Sequence, residues 1–274
     1  LSVTKQGCRV IQKALEVAMG SERALLVGKL YPAVAELVLS PHGNFVVAKM
    51  VEVLPSASLS PVLAAFAGRG AELARHRFGC RVLERLIEHC LEAQVSSLLE
   101  EIVEDADRLC SHQYGNFVVQ SVLEHGGSAS GRVLEKLLPR LPHFATHRTA
   151  SHVVKKAILW ADAAGQRGIA KILLNSSFAD IACDRFGRHV AEELVATRAC
   201  GNEVRMALAL HIPKLATTEA GKDVIEACGL AQLAAAVAVG HVGVAVAAVA
   251  AQRNVAALHR PPAGLGHRHA WCEL

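Results

Sequence analysis

The sequence predicts an all-α solenoid of stacked three-helix units, each about 36 residues long. Two observations carry that prediction. A glycine, once replaced by alanine, recurs before a polar or basic residue at Gly7-Cys8, Gly43-Asn44, Gly79-Cys80, Gly115-Asn116, Ala150-Ser151, Gly187-Arg188 and Gly221-Lys222, at spacings of 36, 36, 36, 35, 37 and 34 residues. A period of that length marks helical units that stack because none can bury its apolar face alone. Within each period the apolar residues recur at helical spacing, and strand alternation is absent.

The third unit resolves most cleanly into elements: Ala71 to Arg75, Gly79 to Cys90 and Glu92 to Glu104. The glycine opening each second helix reads as a turn residue, and an Asn or Ser after it as a helix starter. Pro32, Pro41, Pro55, Pro61, Pro139, Pro142 and Pro213 fall at or near segment ends, where a missing N–H is tolerated. The first unit lacks a first helix, since only six residues precede Gly7. Val10 and Ile11 are therefore expected at an open edge, as in a piece of a longer array. Pro213 to Gly229 reads as a terminal cap, so the repeat domain spans residues 1–229 and an Ala/Val-rich tail spans 230–274. In that tail Gln232, His241 and glycines interrupt the apolar run, which argues for a helical or poorly ordered segment over a membrane span. His267, Arg268, His269 and Cys272 make a possible metal tract, but in a Gly/Pro-rich end they read as solvated tail.

A net charge of +4 permits a polyanionic partner without requiring one. The eight cysteines form no CxxC pair, which points to reduced thiols in a cytosolic or nuclear protein. The 14 histidines are scattered, and no HExxH, nucleophile elbow or phosphate-binding glycine loop is present. Neither an enzyme nor a metal, cofactor or small-molecule substrate is expected.

The chemistry lies on one stripe of the second helices. In Gly115 to His125, Asn116, Phe117 and Gln120 share a face, while Val118, Val119, Val122 and Leu123 cover the opposite one. The first, second and fifth positions after the glycine read Cys8, Arg9, Gln12; Asn44, Phe45, Ala48; Cys80, Arg81, Glu84; Asn116, Phe117, Gln120; Ser151, His152, Lys155; and Arg188, His189, Glu192. The middle member is always planar, in a chain only 4% Phe, Trp and Tyr. Planar groups interleave with unstacked bases at about 1–3 kcal/mol per stack, and the flanking donors and acceptors suit base edges. A protein-binding scaffold also has a polar face, but it has no need of one planar residue per period.

These residues carry a family resemblance. Gly7 to Glu16, Phe78 to Cys90 and Tyr114 to His125 resemble repeats of the Pumilio (PUF) family of RNA-binding proteins, and Ala150 to Lys156 is similar to that family's penultimate repeat. The resemblance covers residues 1 to about 229 and matches the third to eighth repeats of an eight-repeat array plus its C-terminal cap. It implies a right-handed, crescent-shaped α-solenoid whose concave face holds single-stranded RNA antiparallel to the protein, one base per repeat. Positions one and five then read the base edge and position two stacks. The family code implies adenine at Cys8/Gln12, guanine at Cys80/Glu84 and uracil at Asn116/Gln120, with loose uracil preference at Asn44 because Ala48 lacks the amide. Lys155 and the pair Arg188/Glu192 depart from the code, the latter two being able to pair across one helical turn.

The resulting expectation is a monomeric, cytoplasmic protein that selects UGUA-like elements in messenger RNA 3′ untranslated regions and lowers translation or stability, with protein co-repressors as possible partners. The alternatives are a nucleolar relative that binds structured RNA during ribosome assembly, and a helical interaction scaffold that binds no RNA.

Overall fold

The computed structural model describes residues 1–232, and every regular element there is helical. Nearly all of the tail, with the membrane span and metal tract considered for it, lies outside the described residues. Among the described residues no helix is long and apolar enough to cross a membrane.

Seven inner helices form the spine of the solenoid: Lys5–Val17, Gly43–Val53, Gly79–His89, Gly115–His125, Ala150–Trp160, Gly187–Val195 and Glu219–Ala227. Each packs against the next, from first to last. A short first helix precedes each of the last six: Val34–Leu39, Gly70–Arg75, Ala106–Leu109, Leu141–Ala145, Phe178–Cys183 and Ile212–Leu215. A third helix follows each of the first six: Gly20–Leu30, Ser60–Ala64, Glu92–Glu104, Ser128–Leu137, Ala163–Leu174 and Gly201–Ala209. The third helix of the second repeat is the shortest, because Pro55 and Pro61 bracket a 3-10 turn at Ser56–Leu59.

One continuous core runs through the stack, fed by the same inner-helix positions in each repeat. Val46, Val47 and Met50 are succeeded by Val82, Leu83 and Leu86, then by Val118, Val119 and Val122, and all are fully buried. Burying each such side chain contributes about 1.5–3 kcal/mol, so the interface between repeats dominates the stability of the stack. At the N-terminal edge Val10 is 62% exposed, as expected, whereas Ile11 is half-buried against the core.

The glycine that opens each inner helix is not the turn residue the sequence suggested. Positive φ occurs only at Gly20, Gly68, Gly127 and Gly229 among the described residues. The recurring glycine is instead a close-approach residue. A Cβ on Gly43, Gly79 or Gly115 would lie 2.7, 2.9 or 3.0 Å from the carbonyl oxygen of Leu37, Leu73 or Leu109 in the first helix, and one on Gly187 would meet that of Ile181 at 2.2 Å. Packing of the first helix onto the inner helix, not backbone freedom, fixes the position.

Nor does the Asn or Ser after it start the helix. The cap comes from three residues before the glycine or alanine, at Thr4, Ser40, His76, His112, His147, Asp184 and Thr218. Each accepts the glycine or alanine N–H at 2.8 to 3.2 Å. In five repeats it also accepts the N–H one residue earlier. Orphan N–H groups at a helix start need such an acceptor, and losing one costs about 1 kcal/mol. Three caps are imidazoles accepting through Nδ1, which requires the neutral ring with its proton on Nε2.

Longer-range ties hold successive repeats. Glu92 accepts from the Ser128 N–H at 3.1 Å, and Arg23 donates to the Val53 carbonyl at 3.2 Å. Lys136 pairs with Glu104 at 2.9 Å, beside the pair Arg132 and Glu100.

Burial, and then the Arg75 guanidinium, hold the His112 imidazole below its ordinary 6.5. The unfolded chain therefore binds a proton there more readily, so this contribution to stability is complete above pH 6.5 and is lost as pH falls below it. His112→Asp, which copies the cap of the sixth repeat, should retain the helix start and flatten the acid side of the profile. Urea-unfolding midpoints of both proteins between pH 8 and 5.5 check this, the gap between them widening toward low pH.

Candidate nucleic-acid interface

Stacking the inner helices in register turns the three stripe positions into three rows, and the rows differ in depth. Cys8, Asn44, Cys80, Asn116 and Ser151 at position one are buried, none more than 4% exposed. Position two stands outward: Arg9, Phe45 and His152 are exposed, and Arg81, Phe117 and His189 are half-buried. Gln12, Ala48, Glu84, Gln120, Lys155 and Glu192 at position five are all half-buried. A partner laid on this face meets the planar row first and the fifth-position row behind it.

Three of the buried first-row residues, Asn44, Cys80 and Asn116, tie the inner helix to the loop before it. Asn44 Nδ2 donates to the Ser40 carbonyl at 2.7 Å, and Asn116 Nδ2 to the carbonyls of His112 and Gln113 at 2.9 and 3.1 Å. The thiols of Cys8 and Cys80 donate to Lys5 and Arg77 carbonyls at 3.3 and 3.6 Å. Burial pushes the Cys80 thiol up to about 12, so it stays a neutral donor.

The first row in turn sets the fifth. Gln120 Nε2 donates to Asn116 Oδ1 at 3.0 Å, which fixes the amide and leaves its Oε1 and second N–H for a partner. That is one acceptor and one donor side by side, the complement of a uracil edge. In the second repeat Ala48 offers nothing, and Asn44 Oδ1 is buried without a hydrogen bond. The sequence exposed the missing amide but not the orphaned oxygen, which depends on the depth of Asn44.

At position two, neighbouring repeats touch. The Arg81 guanidinium lies over the Phe45 ring, 5.4 Å from its centroid. Such an exposed contact contributes about 0.5–1 kcal/mol, less than the roughly 1–3 kcal/mol of a base stack, so a base can displace it. Burial, and next the charge of Lys155, lowers the His152 imidazole, leaving a neutral ring at neutral pH. Among the described residues no ion pair engages Arg9, Arg81 or Lys155, which leaves three cations available to phosphates.

The sixth repeat is closed. Arg188 and Glu192 do approach across one turn, at 3.6 Å, but the shorter pair is Arg188 with Asp223 of the seventh repeat, at 2.6 Å. His189 Nδ1 lies 3.2 Å from Glu192. Asp223, which the sequence places in the cap, sits 35 residues after Arg188, and one repeat length was the signal that could have paired the two. Among the described residues no group of three His, Cys, Asp or Glu side chains could hold a metal ion.

Comparison with known proteins adds to this geometry. The model of the Pumilio-family RNA binding repeat matches residues 1–30, 70–103, 107–130 and 140–170. The second and sixth repeats, where Ala48 and Arg188 interrupt the pattern, lie in the stretches between and after those matches. Among solved structures, PUF-8 in complex with PBE-RNA superposes with a TM-score of 0.77 at 23% identity, covering 82% of this chain and 69% of that one. The Puf3 RNA-binding domain, bound to site A of the Cox17 RNA 3′ UTR recognition sequence, superposes at 0.72 with 27% identity over 84% of this chain and 72% of that one. Yeast Puf5p bound to AAT2 RNA covers 90% of this chain and 72% of its own, at 0.69 and 17% identity. No curated protein sequence matches.

Ala48→Gln should give Asn44 Oδ1 the partner that Asn116 has. The expected gain is about 1 kcal/mol, the ordinary worth of satisfying one buried acceptor, read as a higher urea midpoint. An unchanged or lower midpoint would mean that Asn44 is satisfied some other way.

Proposed function

We propose that this chain, a member of the Pumilio family of repeat proteins, binds single-stranded RNA with base selectivity along its inner-helix face and so controls messenger RNA in the cytoplasm. The observation that carries the proposal is the row of outward planar side chains, one per repeat, each beside a half-buried fifth-position side chain. Successive bases need a flat neighbour and an edge partner at the same interval, and this face repeats both.

Selectivity is concentrated in the first four repeats. Gln120 presents a fixed donor and acceptor to a uracil, Glu84 faces a purine, the second repeat reads loosely, and Gln12 faces an adenine. Read antiparallel to the chain, the element is UGUA-like. Lys155 adds phosphate attraction in the fifth repeat, and the closed sixth repeat adds little. The RNA in the Puf3 complex is a 3′ UTR recognition sequence, and we assign this chain the same class of target, with repression of translation or stability as the outcome. Backbone binding to structured RNA is the second reading, favoured by Lys155 and by the closed sixth repeat.

Fluorescence anisotropy at physiological salt tests both. A short UGUA-containing RNA should bind more tightly than a scrambled one, and Arg81→Ala and Phe117→Ala should each weaken it by about 1–3 kcal/mol, or roughly five- to 150-fold. Equal affinity for the two RNAs would remove base selectivity, and preference for a folded RNA would favour the second reading.

A further inference from the structure

Among the described residues, the fifth-position side chains of the first six inner helices are engaged in all but two of the repeats that carry a polar one. Gln12 donates to the Cys8 carbonyl at 3.1 Å, Gln120 to Asn116, and Glu192 meets Arg188 and His189. Among the described residues Lys155 and Glu84 have no hydrogen bond or ion pair, and of the two only Glu84 has an oxygen that can accept from a base. The Cys80 thiol one turn before it is committed to the Arg77 carbonyl, so the carboxyl of Glu84 is the polar group this repeat offers to a base.

A carboxyl group has two faces as a reader. Ionised, it is acceptor-only and matches the two donors on a guanine edge, N1–H and the N2 amino group. Protonated, it places one donor beside one acceptor, as a glutamine does, and matches adenine, whose N6 amino group donates and whose N1 accepts. We propose that the third repeat is a proton-gated purine selector, taking guanine when Glu84 is ionised and adenine when it carries a proton.

The surroundings set the gate near neutral pH. Burial raises the Glu84 carboxyl to about 7, opposed by Arg85 and Arg81 and assisted slightly by Glu88. Arg85 is itself drawn to Glu88, at 2.6 Å, and Arg81 leans over Phe45. The flanking inner helices carry Ala48 and Gln120 at the equivalent positions, neither of which titrates. Of their ionisable residues, Lys49 pairs with Glu52 and Glu16, Glu124 pairs with Lys156, and His125 lies beside Glu124. The first helix adds Glu72, paired with Arg69, and Arg75, paired with Asp105. On the third helix Glu92 and Glu101 cap backbone N–H groups, and Glu100 and Glu104 pair with Arg132 and Lys136. Every cation on these packed helices therefore has an anion or a ring elsewhere.

This inference rests on the RNA-binding reading, and the test separates the two. Affinities for otherwise identical RNAs carrying UGUA and UAUA are measured at pH 6, 7 and 8 for the wild type and for Glu84→Gln. Between pH 6 and 8 the competent fraction for each purine changes by up to about tenfold in opposite directions, so the guanine-to-adenine ratio should rise steeply with pH. In Glu84→Gln it should favour adenine and stay flat. Taking the ratio at each pH cancels any common loss from the histidine caps. A flat ratio in a wild type that still selects UGUA over scrambled RNA would overturn the gate alone, whereas no selective binding at any pH would overturn the RNA reading beneath it. The Glu84 side-chain carbonyl chemical shift in the free protein gives an independent check: a midpoint near neutrality supports the gate, and one in the ordinary carboxylate range overturns it.

Discussion

Everything on the candidate face depends on one constraint: no repeat can bury its apolar side except against the next. Val46 and Val47 need the inner helix that carries Val82 and Leu83, and that helix needs the one that carries Val118 and Val119. Because the units are nearly equal in length, satisfying that need also sets the inner helices in register. Rows of polar side chains on the opposite face follow from that register. A close approach enforces the register within each unit, since the glycine that opens the inner helix leaves no room for a Cβ against the first helix.

The three rows divide the labour by depth. The first is buried and holds the loop, the second stands out where a flat partner would meet it, and the fifth lies between. One first-row residue, Asn116, therefore acts on a partner through another side chain. Asn116 fixes the amide of Gln120, and Asn44, with no amide at position 48, keeps an unsatisfied oxygen. Where the fifth-position group is tied, its hydrogen-bonding pattern is fixed. Where it is free, as at Glu84, the pattern follows its protonation.

The sequence disclosed whatever depends on period and little that depends on depth. The spacing of seven glycine or alanine positions marked the solenoid, and the helical spacing of apolar residues within a period marked the three helices of each unit, because both patterns are periodic. The role of the glycine was misread, since a sequence shows a missing side chain but not the carbonyl lying against it. The caps were overlooked although Thr4, Ser40, His76, His112, His147, Asp184 and Thr218 repeat with the same period. Their chemistry varies from hydroxyl to imidazole to carboxylate, and only the shared acceptor lone pair unites them. A helical projection placed Asn116, Phe117 and Gln120 on one stripe but could not separate a buried first row from an exposed second. Arg188 was legible as a departure, yet its partner Asp223 belongs to the next repeat and is reached only through the stacking geometry.

One face of the solenoid, we propose, reads bases in register with its repeats. Selection of bound RNAs from a random single-stranded pool tests it most directly, because binding, spacing and order are scored together. The expected result is enrichment of a uracil, then a purine, then a weakly constrained base, then an adenine, on adjacent nucleotides with no required secondary structure. Enrichment of folded RNAs without a common linear element, or no enrichment at all, would contradict it.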